Sequence, residues 1–180
     1  MKKFLKTLLI FVLIIIALAA GGLTWLCMNE YTPGDVAEVD IHHSVGTAKP
    51  LHVGDTFSVL TWNIGYAGLG AESDFFMDGG KSSWAKSEPL LRENMDGMGK
   101  YISSFDTDFV ILQEVDQDGT RTYHVPEVDI LEDYIGDGDY VFALNYHSAF
   151  LMWPLNEPHG ANKSGLLTYS AYTIDNAMRR

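Results

Sequence analysis

The 180-residue chain has an apolar fraction of 47% and a formal net charge of −12, which together indicate one globular domain with an appendage. All 24 acidic residues follow Met28, whereas three of the 12 basic residues precede it, so the chain after Met28 carries a net charge near −15. Such a charge repels a polyphosphate backbone and disfavours non-specific nucleic-acid binding, but a small phosphorylated substrate with a bound divalent metal remains compatible with it. Cys27 is the only cysteine, which excludes an internal disulfide, a thiolate metal site and a cysteine nucleophile from the residues after it.

Residues 1–28 are predicted to form a membrane anchor. Three lysines precede residues 7–28, a stretch of about 22 residues without a charge. A helix needs roughly 20 apolar residues to cross a bilayer, and basic residues on the amino-terminal side place that end in the cytosol and the rest of the chain outside. The alternative is a cleaved signal peptide, because Ala17 and Ala19 offer the small residues that a signal peptidase requires. Both interpretations export the domain.

Residues 29–54 are predicted to form an extracytoplasmic linker, because they contain Pro33, Gly34 and Pro50 and show little periodicity. One short edge strand is expected near residues 36–41. The adjacent His42 and His43 are not expected to share a metal ion, since neighbouring residues of an extended chain point to opposite faces.

Two predicted strands end in polar side chains. Residues 57–63 are rich in β-branched and aromatic residues and end at Asn63, and residues 108–114 carry a short apolar run that ends at Glu114. The chain between them predicts a helix with Ser87 as its N-cap and an apolar face that includes Leu91, Met95, Met98, Ile102 and Phe105. Such a connection makes the strands neighbours, so Asn63 and Glu114 are expected side by side. The alternative is that Glu114 begins a solvated loop.

The remaining segments predict loops and shorter elements. The glycine-rich stretch after Asn63 is expected to let the backbone turn beside the site, and its Lys81 and Lys86 are interpreted as solvated, although either could meet a phosphate. Asp116 and Asp118 could add metal-ligand oxygens but are interpreted as turn residues. A short acidic helix is expected over 126–135, a strand over 139–147, a rim loop over 149–163 and a strand over 164–170. The histidines at 124, 147 and 159 are interpreted as surface or core residues.

Three motifs resemble those of the endonuclease/exonuclease/phosphatase superfamily, which includes deoxyribonuclease I-like nucleases, neutral sphingomyelinases and inositol-phosphate phosphatases. Residues 61–64 (Thr-Trp-Asn-Ile) and 112–114 (Leu-Gln-Glu) resemble its first two motifs, and residues 164–170 (Ser-Gly-Leu-Leu-Thr-Tyr-Ser) look like the glycine-led strand that follows. They occur in the family's order, about fifty residues apart. The resemblance covers roughly residues 55–170.

The resemblance implies a divalent-metal-dependent phosphoesterase. Glu114 would be a ligand for Mg²⁺ or Mn²⁺, which take carboxylate oxygens. Asn63 would lie at the metal and take part in catalysis by orienting water or a phosphate oxygen. The substrate would be a nucleic acid, a phospholipid head group or a small phosphate ester. The implied fold is α/β (α+β), part of a four-layer β-sandwich with outer helices, and residues 55–180 would form its amino-terminal half.

The sequence also departs from the family pattern. An Asp and an Asn one residue apart, and then a Ser-Asp-His whose histidine is the general base, would be expected after Ser170, and neither motif is present. The chain is therefore expected to be an inactive amino-terminal fragment of an active parent. The alternative is a non-catalytic cell-surface binding protein that keeps part of the fold. The partners inferred are a phosphorylated substrate and, through the amino-terminal helix, the membrane; no protein partner is inferred.

Overall fold

The computed structural model describes residues 1–44 and 49–180. Residues 45–48, which belong to the predicted linker, lie outside the described residues. The chain divides into two units, Met1–Tyr31 and Thr32–Arg180.

The first unit is a single helix, α1, which spans Lys2–Met28. Its most apolar stretch has a mean hydropathy of 2.6, and none of that stretch is buried. At a rise of about 1.5 Å per residue, a helix of this length can cross a hydrocarbon core. The predicted apolar helix is confirmed. A signal sequence near an amino terminus has the same length and composition, so the anchor and the signal peptide remain alternatives.

The second unit is a mixed α/β domain. Its described residues form two further α-helices, three 3₁₀ turns and seven strands. The α-helices are α2 (Glu88–Ser103) and α3 (Glu127–Ile135). The strands are β1 (Ala37–Glu38), β2 (Ile41–His42), β3 (Val59–Asn63), β4 (Phe109–Gly119), β5 (Asp139–Leu151), β6 (Gly160–Ser170) and β7 (Met178–Arg179).

Five strands form one mixed sheet in the order β2-β5-β6-β4-β3, and β1 pairs with β7 in a separate two-stranded ribbon. Only β3 and β4 are parallel within the described sheet, with Asn63 opposite Gln113 at the end of their ladder. The single edge strand expected near residues 36–41 is instead two strands of two residues each, β1 and β2, which belong to different sheets.

The β3–α2–β4 unit forms as predicted. The Ser87 side chain accepts a hydrogen bond from the Leu90 backbone N–H, which satisfies one of the free donors at the start of α2. Leu91, Met95 and Ile102 are buried on the sheet side of the helix. The expected helical position of Phe105 is wrong, because α2 ends at Ser103 and the Phe105 side chain is 44% exposed.

The two faces of the sheet differ in how far other elements cover them. Side chains that alternate along the strands on one face join the helices in the hydrophobic core; they are Leu60, Trp62, Val110, Leu112, Tyr140, Phe142, Leu167 and Tyr169. Their neighbours point to the opposite face, which we call the open face. It presents half-buried or exposed residues, most of them apolar: Val59, Thr61, Phe109, Ile111, Val141, Ala143, Leu166 and Thr168.

Three strands, β4, β5 and β6, are longer than expected. β4 continues past Glu114 to Gly119, where a turn was expected, and β5 continues to Leu151. With β6 starting at Gly160, the expected rim loop shortens to residues 152–159. The acidic helix α3 is confirmed at Glu127–Ile135.

Helices α2 and α3 pack closely at Gly99, which gives a matched test of this interface. A Cβ at Gly99 would overlap the Tyr134 ring, whereas a Cβ at Gly97, in the same helix, meets nothing within 4 Å. Gly97→Ala should raise the free energy of unfolding by about 0.5–1 kcal/mol, because alanine loses less backbone entropy in a helix. Gly99→Ala should lower it by roughly 1–3 kcal/mol through overpacking.

Thermal unfolding of the full chain in detergent measures both changes, with about 2–4 °C expected per kcal/mol. Equal melting temperatures for the two alanine variants would contradict the helix packing described here.

Candidate functional site

A β-bulge in β4 presents Glu114. Between the pairs Leu112–Leu167 and Val115–Gly165, β4 has two residues, Gln113 and Glu114, where β6 has one. Strict alternation would turn residue 114 into the core beside Leu112, so the extra residue lets Val115 take that buried position. Glu114 adopts a left-handed backbone conformation, with φ of 55°, and its side chain is exposed. The expected strand end at Glu114 is therefore wrong, because β4 continues to Gly119.

Asn63 and Glu114 are in direct contact, as predicted. The Asn63 Nδ2 donates to Glu114 Oε1 at 2.8 Å, and Asn63 Oδ1 accepts from the Gly65 backbone N–H at 2.9 Å. These two bonds fix the orientation of the amide, because only nitrogen can donate to the carboxylate and only oxygen can accept from the N–H. Asn63 thus holds one oxygen of Glu114 and leaves Oε2 available to a ligand.

An ion pair is buried close to this contact. Arg121 donates from Nε to Asp116 Oδ2 at 2.9 Å and from Nη2 to Asp116 Oδ1 at 2.7 Å, a two-point contact. The Asp116 side chain is fully buried and that of Arg121 is 9% exposed. Burial opposes the charged form of Arg121, but the bonds to Asp116 outweigh it and leave the pKa of the guanidinium raised. The interpretation of Asp116 as a turn residue is wrong.

Tyr66 and His159 enclose the guanidinium of Arg121. Its central carbon lies 3.6 Å from the centre of the Tyr66 ring, a cation–π contact. The His159 Nδ1 is 2.9 Å from the Ser83 carbonyl oxygen, which places the ring proton on Nδ1, so Nε2 accepts from Arg121 Nη1 at 3.3 Å. Burial, and then the charge of Arg121, lower the pKa of His159 and keep it neutral. We call Tyr66, Asp116, Arg121 and His159 the arginine cluster.

The arginine cluster and the Asn63–Glu114 pair share one end of the sheet. Tyr66 lies three residues after Asn63, in a turn that begins at Gly65. Burial raises the pKa of Tyr66; the Arg121 charge opposes this rise, whereas the charges of Asp116 and Glu114 add to it. The phenol therefore lies within electrostatic range of both parts of the site.

A buried carboxyl, that of Glu127, bonds to the backbone of the arginine cluster at Asp116. Glu127, at the start of α3, accepts from the Asp116 backbone N–H through Oε2 at 2.8 Å. Its Oε1 is enclosed and has no hydrogen-bond partner among the described residues. Burial, followed by repulsion from Asp116, raises the pKa of Glu127 well above the ordinary value of 4.5. Asp116, which accepts both bonds from the guanidinium, is the carboxylate that balances Arg121.

The other residues considered from the sequence lie apart from this cluster. His43 pairs with Asp139 at 2.9 Å while His42 stacks on Tyr140, so the two histidines do point to different partners. His124 contacts Asp118 at 2.7 Å in an exposed pair. The side chains of Lys81 and Lys86 are exposed, in agreement with their predicted solvated role.

Tyr66 and Arg121 were missed as site residues, and Asp116 was set aside as a turn residue. His159, expected to be a surface or core residue, is buried. A sequence signal for Tyr66 and Arg121 is weak, because both stand in polar, glycine-containing stretches that predict loops. Within residues 1–44 and 49–180, no group of three or more His, Cys, Asp or Glu side chains is placed to hold a metal ion.

Comparisons of the chain with protein-family models, with curated proteins and with solved structures found no match. The endonuclease/exonuclease/phosphatase resemblance therefore stays a prediction from the three motifs. The site contains the exposed carboxylate of Glu114, which is held by the Asn63 amide. Beside it lies the buried guanidinium of Arg121, which stacks on the Tyr66 ring. That combination suits a hard cation next to an anionic group.

The raised pKa of Glu127 predicts a pH-dependent stability difference. A raised native pKa means that the folded chain holds a proton that the unfolded chain releases, so this contribution to stability is complete below about pH 4.5 and declines as the pH rises toward the native pKa. Glu127→Gln keeps the shape and removes the titration. The free energy of unfolding of the variant relative to the original chain should therefore increase from pH 5 to pH 8.

Chemical denaturation at several pH values measures this relative free energy. Glu93→Gln, at an exposed position on α2, is the matched control and should show little change with pH. A flat difference for Glu127→Gln would mean that Glu127 is ionised in the folded chain.

Proposed function

We propose that this chain belongs to an extracytoplasmic, divalent-metal-dependent phosphoesterase of the endonuclease/exonuclease/phosphatase type, which hydrolyses a phosphodiester or a phosphomonoester. The observation that carries the proposal is the contact of Asn63 with Glu114 at 2.8 Å, because residues from two separate motifs meet at one edge of the sheet. The bulge that exposes Glu114 supports it, since bulges often re-aim a side chain beside an active site.

The residues present fit a hard divalent cation. Glu114 offers a carboxylate oxygen, the donor type that Mg²⁺ and Mn²⁺ prefer, and a single carboxylate suits Mg²⁺ because this ion keeps several of its waters. A bound divalent cation would stabilise negative charge on the phosphoryl group and lower the pKa of a bound water. Asn63 would fix the direction of Glu114, since its own oxygen is occupied by the Gly65 N–H.

The proposal includes a fold in which the sheet is half of a four-layer sandwich with outer helices. The support is the open face, whose Ile111, Val141 and Leu166 are apolar and only half-buried. Apolar sheet faces are normally covered by a second layer. A second sheet there would leave Glu114 at the rim of the sandwich.

The proposal also gives an orientation to α1. Lys2, Lys3 and Lys6 precede its apolar stretch, and the first acidic residue after it is Glu30. By the positive-inside rule the amino terminus would be cytoplasmic and the α/β domain extracytoplasmic.

Glu114→Gln tests the assigned metal ligand, because it removes the charge at nearly constant shape. In the 180-residue chain, binding of Mn²⁺ followed by electron paramagnetic resonance should be weak and should disappear in the variant. In a longer product of the same gene that also carries the Asp-x-Asn and Ser-Asp-His motifs, the variant should lower the rate of phosphodiester hydrolysis about 10²–10³-fold.

The 180 residues contain neither of those two motifs, so we expect no hydrolysis by this chain at any Mg²⁺ concentration. Glu93→Gln on α2 is the control for loss of a surface charge. If Glu114→Gln left both Mn²⁺ binding and the rate unchanged, Glu114 would be a solvated residue. A chain that bound a ligand at this site with no hydrolysis in any longer product would instead be a binding protein.

The orientation is tested by adding protease to intact cells. The α/β domain should be digested while a cytoplasmic marker survives. A domain released into the medium and starting near Ala20 would identify a cleaved signal peptide, and full protection of the domain would contradict export.

A further inference from the structure

Arg121 has donors that the protein does not use. A guanidinium carries five N–H groups. Three of them are engaged, one from Nε and one from Nη2 by Asp116 and one from Nη1 by His159. No other hydrogen bond joins the guanidinium to the described residues, so one N–H on Nη1 and one on Nη2 remain.

Tyr66 has an unused donor as well. Its side chain is almost completely buried, with 2% of the residue exposed, yet its hydroxyl bonds to none of the described residues. Among those residues, Glu127 Oε1 is the only fully enclosed side-chain polar atom without a partner. The Tyr66 hydroxyl is therefore not completely enclosed, and a buried phenol normally has a hydrogen-bond partner for this group.

The strand register shows on which face of the sheet these donors lie. Asp116 lies opposite Ser164, and Ser164 lies opposite Tyr146, so the three side chains project from one face. Ser164 alternates with Leu166 along β6, which places them on the open face. Tyr146 itself lies with its ring centre 5.8 Å from the Arg121 guanidinium. The unused donors thus belong to the same end of the open face as Asn63 and Glu114.

We propose that Arg121 and Tyr66 form an anion subsite that accepts a phosphoryl oxygen of the substrate. Asp116 and His159 are positioning residues, because they hold the guanidinium without using all its donors. This inference rests on the proposed phosphoesterase function, which it deepens by naming the side chains that receive the phosphoryl group.

The charges of the site fit this role. Asp116 already balances Arg121, so the pair has no net charge to repel or attract a substrate over long distance. The two unused N–H groups and the phenol O–H nevertheless give directional, charge-assisted bonds to an oxyanion at short range. Lysine would supply a point charge but not a planar fork that can hold Asp116 and an oxyanion together. Glu114 would hold a divalent cation, which would supply positive charge to the substrate beside this subsite.

The experiment measures binding of inorganic phosphate to the full 180-residue chain in detergent, by ³¹P NMR, at low ionic strength and with Mg²⁺ present. Arg121→Lys keeps the charge and loses the fork, and should weaken binding more than tenfold. Tyr66→Phe keeps the ring against Arg121 and removes only the hydroxyl, and should weaken binding about tenfold, as expected for a hydrogen bond to a charged group. Tyr134→Phe, whose hydroxyl bonds Asp96 on α2, is the matched control and should bind phosphate as the original chain does.

A melting curve for each variant separates a lost subsite from a lost fold, and Tyr66→Phe remains informative if Arg121→Lys does not fold. Equal phosphate affinity in Tyr66→Phe and the original chain, or no phosphate binding by the original chain, would overturn the subsite.

That result is distinct from failure of the proposed function, which depends on Glu114. Loss of Mn²⁺ binding in Glu114→Gln together with unaltered phosphate binding in Tyr66→Phe would reject the subsite alone. If phosphate binding depends on Tyr66 while Glu114→Gln changes neither Mn²⁺ binding nor the rate of hydrolysis, the phosphoesterase function alone is rejected.

Discussion

The bulge at Gln113 and Glu114 is the constraint on which the site depends. β4 must bury Leu112 and Val115 in the core, yet it must also turn a carboxylate outward between them. A regular strand cannot do both, because its side chains alternate strictly. The extra residue resolves the conflict at the cost of a left-handed conformation at Glu114, which is uncommon for any residue other than glycine. Gly165 on β6, the partner of Val115, is constrained as well, since a side chain there would collide with the Ala143 backbone and the Phe142 ring of β5.

The backbone of Arg121, the basic member of the buried pair, links its own turn to the loop after β3 and to strand β6. The Arg121 carbonyl accepts from the Ala85 N–H of the long loop after β3, and its own N–H bonds Asn162 Oδ1 at 3.3 Å, at the start of β6. Removing one member of a buried ion pair typically costs about 3–5 kcal/mol, whereas replacing the whole pair by apolar groups is often neutral. Stability alone therefore does not explain an ion pair here. A role in holding Arg121 for a ligand explains both the burial and the unused donors.

The parts that the sequence predicts are those governed by periodicity. The apolar face of α2 and the two apolar runs determine a parallel β3–α2–β4 unit, and that unit brings Asn63 to Glu114. The bulge has no such periodic signal in the sequence, because Gln and Glu after an apolar run are typical of the start of a loop. Asp116 was misread for a related reason. Its burial comes from Arg121 and Thr122, which fold back over it, and a sequence pattern does not show which distant groups cover a polar side chain.

Backbone strain is concentrated around the same cluster. Positive φ angles occur at Tyr66 and Ala67, at Glu114, and at Tyr123 and His124, all of them outside glycine. Each costs of order 1–3 kcal/mol and persists only where the surrounding packing enforces it. The enforcing contacts are local: Asn94 on α2 donates to the Ala67 carbonyl, and the Tyr123 hydroxyl donates to that of Ala85. Asn94 of α2 thus holds the strained turn that follows β3, and two of the strained residues, Tyr66 and Glu114, are assigned to the site.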